Sequence, residues 1–411
     1  MVTFHNLQFS AESAFLERSV MRELIKRTAQ PGMIALSGGL PASEFLPTDA
    51  LRDCVDAVLT REGGNALQYR PMYQPLLEWI AEYMGTRGVT CDPDQVFITN
   101  GNQQALTILS HLFLDQNALA VTEAITFTGI HQVTRGRGIP VRTVATDLHT
   151  GVDLEALERA FRINPTPRLA IIIPDFHNPL GVSITEEKRI QIAQLAEQYG
   201  VFIVEDDPYS PLRFTGKPLP AIKAYDTAER VFYLGSFSKM LMPAARLGWM
   251  IAPRELIPKL TVIRESIDLE SSGFMQRIVA EFLQRHLLYD HLKQLNTANA
   301  FRCAAMLTAL DQYMGDIATW THPEGGLFVW LTLNDAQIDT WQLFEHALKQ
   351  RVAFVPGGAF AVEGGYHNTL RLNFSNVNEE QIEEGVRRLA AVVREYGQQS
   401  YRKNGNGNKY D

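Results

Sequence analysis

Hydrophobic positions along the chain fall into two regimes. Between about Val96 and Ile251, short apolar runs alternate with stretches of helical spacing. Val96-Phe-Ile-Thr, Leu119-Ala-Val-Thr, Val141-Arg-Thr-Val, Leu169 to Ile173, Val201-Phe-Ile-Val, Val231 to Leu234 and Leu247 to Ile251 read as strands. Gln103 to Leu114 and Thr185 to Tyr199 read as helices between them. The strand runs are continuous rather than alternating, which implies burial on both faces. That pattern predicts an α/β region, a mostly parallel sheet lying between helices.

Beyond about Arg254 the spacing turns helical as far as residue 313. Then Leu327, Val329 and Leu331 alternate with partners on the other face, and Val352-Ala-Phe-Val and Thr369 to Phe374 follow. With helical patterns over Trp341 to Lys349 and Asn378 to Glu395, this end predicts a smaller α+β domain. Apolar Phe15, Val20, Met21, Leu24 and Ile25 suit an amphipathic helix over Ala11 to Thr28, and Pro47-Thr-Asp starts another. The expected division is an N-terminal arm over 1–48 that contributes to the small domain and the active site. A large domain over 49–295, a small one over 296–397 and a polar, disordered tail over 398–411 complete it.

Composition narrows the partners. The net charge of −8 and the lack of a basic block argue against nucleic acid. The longest apolar runs are strand-length and too short to span a bilayer, and the N-terminus has no signal-peptide core. Cys54, Cys91 and Cys303 are scattered and odd in number, which points to neither disulfides nor a metal site. A reduced, cytoplasmic, enzyme-sized protein is expected.

Candidate chemistry gathers at the ends of the predicted strands. In Tyr233-Leu-Gly-Ser-Phe-Ser-Lys-Met-Leu-Met-Pro-Ala-Ala-Arg-Leu-Gly-Trp249, one lysine, Lys239, stands beside the hydroxyls of Ser236 and Ser238 and the planar cation of Arg246. A lysine beside a phosphate-binding group can carry a phosphorylated aldehyde as a Schiff base; a solvated surface lysine is the alternative. Gly101 permits a tight turn before a helix whose first amides, at Asn102, Gln103 and Gln104, would face an anion. There is no Walker A or GxGxxG sequence, so a nucleotide is not the natural guest. Asp206 and Tyr209 follow a strand, where a carboxylate can hold a pyridine nitrogen protonated and a phenol can bond the ring oxygen. A solvated strand end, or a metal-binding cluster of Glu205, Asp206 and Asp207, remains open there. Asn178, extended before a proline, could donate to the same oxygen or to a substrate carboxylate. Arg371 on an apolar strand needs an anion, structural or bound, and Gly38 and Gly39 allow a close backbone approach or mark a plain turn.

Taken together, Ser37-Gly-Gly-Leu-Pro41, Asn100-Gly-Asn-Gln-Gln-Ala105, His177-Asn-Pro-Leu-Gly181, Asp206-Asp-Pro-Tyr209, Ser236-Phe-Ser-Lys239, Arg246-Leu-Gly-Trp249 and Arg371 resemble the fold-type I, class I/II pyridoxal-phosphate aminotransferases over about residues 10 to 397. The nearest branch is that of the α-aminoadipate/kynurenine aminotransferases, related to the C-terminal half of MocR-type regulators. The resemblance implies pyridoxal 5'-phosphate as cofactor and Lys239 as its Schiff-base lysine and proton shuttle. It also implies Asp206 on the ring nitrogen, Tyr209 and Asn178 on the ring oxygen, and Asn102, Gln103, Ser236, Ser238 and Arg246 on the phosphate. Tyr69 would join from the partner subunit of a homodimer with shared active sites. Arg371 would clamp the substrate carboxylate, with Gly39 nearby, and Phe127 falls where a stacking tyrosine is common. The implied reaction is transfer of an amino group from an amino acid to a 2-oxo acid, with 2-oxoglutarate the expected acceptor. Fold does not fix reaction, so elimination, decarboxylation or cyclisation stays open. A cofactor-sensing module is the other alternative, against which stands the lack of a DNA-binding extension before residue 10.

Overall fold

Seven of the apolar runs join edge to edge into one sheet. In the computed structural model, which describes residues 10, 12–16, 20–28 and 30–405, these strands are β1 (Val96–Thr99), β2 (Ala120–Glu123), β3 (Val141–Val144), β4 (Leu169–Ile172), β5 (Phe202–Asp207), β6 (Val231–Ser236) and β7 (Gly248–Ile251). Their order across the sheet is β1-β7-β6-β5-β4-β2-β3. All neighbours are parallel except β7, which runs antiparallel between β1 and β6.

Successive residues of a strand point to opposite faces, and here both faces are dry. On β4, Leu169 and Ile171 join one apolar cluster with Val204, Phe232 and Leu234, while Ala170 and Ile172 join another with Val144, Ile203 and Val231. Helices cover both sides. Asn102–Phe113 packs with the first cluster and Glu186–Tyr199 with the second, the latter capped by the Thr185 hydroxyl accepting from the Lys188 amide.

Two strands outrun their apolar signal. β5 continues through Glu205, Asp206 and Asp207, and β6 through Gly235 and Ser236. All three acids are buried, so the solvated strand end is replaced by a polar, paired one.

The second sheet is β8 (Ala318–Trp320), β9 (Phe328–Leu333), β10 (Val355–Pro356) and β11 (Thr369–Asn373), in the order β8-β9-β11-β10 and antiparallel throughout. Leu370 and Leu372 face its core, with Val329, Leu331 and Phe374. The expected run Val352-Ala-Phe-Val is split. Val352–Ala353 pairs in parallel with Ile34–Ala35, tying the N-terminal segment to this end of the molecule. The helix Leu287–Met314 runs unbroken through position 295, where the large and small domains were expected to divide.

Over the first residues, a short 3-10 turn at Glu12–Phe15 and a helix at Val20–Thr28 stand where one helix was expected. Ala11 and residues 17–19 lie outside the described residues. At the other end the last helix, Glu379–Gly405, extends past Glu395. The stretch 398–405, expected as tail, is therefore helical, and 406–411 lie outside the described residues. No helix among the described residues is long and apolar enough to cross a membrane.

Candidate active site

A cavity of about 380 Å³ opens at the carboxyl ends of β5 and β6, beneath β9 and β11 of the smaller sheet. That is the usual crevice of an open α/β sheet. It brings together Gly39, Asn102, Gln103, Phe127, Asn178, Asp206, Tyr209, Ser236, Ser238, Lys239, Arg246 and Arg371. Gly101 stands just behind it. Of the expected site residues, Tyr69 stands out on the surface: it is 86 % exposed and lines no part of its own chain's cavity.

Lys239 follows β6 on a short helix, and its Nζ donates to the Gly39 carbonyl at 2.6 Å. Burial, together with the Arg371 and Arg246 guanidiniums, pushes its amine down to about 8. A group with that value supplies a neutral amine near neutral pH, which a solvated lysine does not.

At one end of the cavity Arg246 lies over the start of the Asn102–Phe113 helix. Its backbone is left-handed, φ 48 and ψ 47, a conformation uncommon for a side chain of this size. The guanidinium donates to the Asn100 carbonyl at 2.9 Å and reaches the Ser238 hydroxyl at 3.4 Å. Gly101 makes this approach possible, since a Cβ there would lie 2.8 Å from Arg246 Nη2. The first helix amides, at Asn102 and Gln103, meet a cation in one cradle, a ready anion site, whereas the Gln104 amide, expected there too, donates to the Gly101 carbonyl at 3.1 Å. Gln103 turns its own side chain to the Gly129 carbonyl at 3.1 Å. The Phe127 ring lies against Gly129, where a Cβ would be 2.3 Å from it.

The three acids of β5 diverge. Glu205 accepts from the amides of Ile222 and Lys223 at 2.8 and 2.9 Å. Asp207 faces away from the cavity and accepts from Arg87, the Tyr233 hydroxyl and the Ser210 amide at 3.1, 2.9 and 2.9 Å. Arg87 in turn bonds Asp175, which Arg189 grips with both guanidinium ends. Asp206 alone faces the cavity, and burial pushes its carboxyl up to about 6 against the pull of an amide from Asn102 at 2.6 Å. The side chain of Asn102, expected on an anion, is thus turned to Asp206. Because Asp207 belongs to a buried ion network, Asp207→Asn should lower stability by about 3 kcal/mol while the folded fraction keeps near-normal turnover. Chemical denaturation beside assays at fixed folded fraction would check this, and a stable but inactive variant would refute it.

Arg371 crosses from β11 into the cavity and is 2 % exposed. Its Nη1 donates to Asn178 Oδ1 at 2.8 Å, and its Nη2 to the carbonyls of Ser37 and Gly38 at 2.9 Å each. Phe328 and Phe360 lie 4.1 and 4.9 Å from the guanidinium carbon. Neither aromatic stood out in the sequence. Phe328 does fall on the face of its strand opposite the alternating Leu327, Val329 and Leu331, and that was the available signal. No carboxylate pairs with Arg371 among the described residues, and burial pushes it down to about 9. Asn178 completes the link: its amide donates to the Tyr209 hydroxyl at 3.3 Å while its carbonyl takes Arg371. Burial holds the Tyr209 phenol well above its ordinary value.

Known proteins resemble this chain over most of its length. The family model "Aminotransferase class I and II" matches residues 35–389. An aromatic-amino-acid aminotransferase of Thermococcus litoralis is 37 % identical over 94 % of this chain and 94 % of its own. A 2-aminoadipate transaminase of Thermus thermophilus is 36 % identical over 94 % of this chain and 96 % of its own. Among solved structures, the kynurenine aminotransferase of Pyrococcus horikoshii superposes with a TM-score of 0.89 at 35 % identity, covering 94 % of this chain and 97 % of that one.

Proposed function

The chain belongs to aminotransferase class I and II, and from that premise we propose how its own residues divide the work. It is a pyridoxal-phosphate-dependent aminotransferase acting on amino acids. The residues present fit that cofactor. An arginine–hydroxyl–helix cradle that a Cβ at Gly101 would fill suits its phosphate, and a buried Asp206 that no lysine or arginine pairs with among the described residues suits its ring nitrogen. When bound, pyridoxal phosphate supplies a ring that stores the electron pair released as an amino acid loses its α-proton.

In this reading Lys239 holds the cofactor and then carries the proton. Arg246, Ser236, Ser238 and the first amides of the Asn102–Phe113 helix would hold the phosphate, and Phe127 would stack on the ring. Asp206 would pair with the ring nitrogen, while Tyr209 and Asn178 would serve the ring oxygen. Arg371 takes the α-carboxylate of donor and acceptor alike. The observation that carries the reading is this last one: a buried guanidinium with no carboxylate of its own, in one cavity with Lys239.

The donor is proposed to be an aromatic or long-chain amino acid, received by Met21, Leu40 and Phe360, with 2-oxoglutarate as acceptor. The names of the relatives support that class. A donor panel scored by loss of pyridoxal absorbance should rank phenylalanine, kynurenine and 2-aminoadipate above alanine by about tenfold or more. Alanine leading would overturn the donor class, and pyridoxal absorbance retained after turnover would favour elimination over transamination.

Asp206→Asn should keep the cofactor yet lose turnover about 100-fold or more, because a neutral amide cannot balance a ring-nitrogen charge. Rates at saturating cofactor test it; turnover within threefold of the parent would remove Asp206 from that role. The exposure of Tyr69 supports a further proposal, that it serves the site of a second copy in a homodimer. Tyr69→Phe should then weaken cofactor binding without changing the mass measured by light scattering. A monomeric parent enzyme would sink it.

A further inference from the structure

Asn102 opens a helix beside the proposed phosphate cradle, and there its side chain would be expected to bind phosphate. The hydrogen bonds say otherwise. Its amide nitrogen donates to Asp206 Oδ1 at 2.6 Å and to the Leu234 carbonyl at 3.3 Å. Both neighbours are acceptors only, which fixes the orientation of the amide. An amide nitrogen has two N–H bonds, and both are committed. What remains is Oδ1, an acceptor, which cannot bond a phosphate oxygen.

The chain is shaped around this contact. Gly101, at φ +82, turns β1 into the helix and delivers Asn102 against the backs of β6 and β7. Gly248 on β7 leaves the room: a Cβ there would lie 2.9 Å from Gly101 Cα and 3.2 Å from Asn102 Oδ1. No lysine or arginine pairs with Asp206 among the described residues. A buried carboxylate held by so few donors needs each of them to stay oriented and charged.

We propose that Asn102 is a positioning residue for Asp206, aiming its carboxylate at the cofactor ring nitrogen, while only the backbone amide of Asn102 is left for the phosphate. This rests on the reading of Asp206 given above. The two can be separated by titrating apoenzyme with pyridoxal phosphate, with its 1-deaza analogue, which has C–H in place of the ring nitrogen, and with phosphate-free pyridoxal. The ratio of the first two affinities reports the ring-nitrogen contact; the ratio of the first and third reports the phosphate contact.

In Asn102→Ala, and in the near-isosteric, uncharged Asn102→Leu, the nitrogen preference should fall about tenfold, the scale of one charge-assisted hydrogen bond. The phosphate preference should stay within twofold. Matching melting curves of the apoenzymes would show that the fold is kept. The inference is overturned if the phosphate preference falls instead, if both fall together, or if neither moves. Asp206→Ala is the control for the underlying reading. If that variant still prefers the ring nitrogen, Asp206 is not its partner and the reading itself is wrong. If it loses the preference while the Asn102 variants keep it, only the role of Asn102 fails.

Discussion

Lys239→Ala should lose the covalent link to pyridoxal phosphate and about 10⁴-fold or more in turnover, since one side chain both anchors the cofactor and moves the proton. Borohydride treatment of the parent enzyme, followed by peptide mass spectrometry, should place the cofactor on Lys239. The variant should show no labelled peptide. The folded structure should survive, because the amine makes one hydrogen bond, to the Gly39 carbonyl, and that carbonyl faces the cavity where water can replace it. The sign of the pH dependence follows from the depressed amine. At about 8 rather than the ordinary lysine value, Lys239 is protonated below that pH and neutral above it. Only the neutral amine attacks an aldehyde. Attachment of cofactor to apoenzyme should therefore accelerate as pH rises through about 8 and level off well before an ordinary lysine would deprotonate. A midpoint near 10 would mean that the cavity does not tune the amine, and a labelled peptide elsewhere would remove Lys239 from the mechanism.

The larger sheet was readable because its signal is local. Leu169 to Ile172 and Val231 to Leu234 are apolar without interruption, and such runs have few other places to go than the middle of a covered sheet. The same locality hid the ends of β5 and β6. Glu205, Asp206 and Asp207 read as polar, and apart from the Ser210 amide on Asp207 nothing near them in sequence supplies the partners that bury them. Those come from Ile222, Lys223, Arg87 and Tyr233, at long and different separations. Fold-level pairing, not spacing, decides which acid faces the cavity. Strand alternation is enough to part Asp206 from Asp207, but not to show that Asp207 anchors an ion network with Asp175, Arg189 and Arg87. Lys239, Arg246 and Arg371 were legible through the residue types around them. The aromatic faces on Arg371 and the turn of Asn102 toward Asp206 were not, because both depend on backbone from distant segments meeting at one point. The C-terminal helix outran its expected end for a different reason: its last turns are polar all round and offer no amphipathic period to read.

Arg371→Ala should cost both half-reactions equally, because donor and acceptor each present an α-carboxylate to the same guanidinium. Truncating one partner of a buried, hydrogen-bonded charge pair costs about 2–5 kcal/mol, which is roughly 30- to several-thousand-fold in kcat/KM. Cofactor affinity should change little, since the phosphate cradle belongs to Arg246. The structure adds a second, independent reading of the same variant. Burial first, then Arg371, then Arg246 depress Lys239, so removing the Arg371 charge should raise the pH midpoint of cofactor attachment toward the ordinary lysine value. Arg371→Lys separates charge from shape. It should restore much of the depressed midpoint but little of the carboxylate recognition, because an ammonium cannot lie flat between Phe328 and Phe360 while reaching Asn178 and the Ser37 and Gly38 carbonyls. Single-turnover rates for each half-reaction, with amines lacking the carboxylate run alongside, test the clamp. If the parent enzyme converts an amino acid and its decarboxylated amine equally well, Arg371 does not read the carboxylate. Its buried charge would then need another anion, and donor selection would have to be assigned to the side-chain end of the cavity.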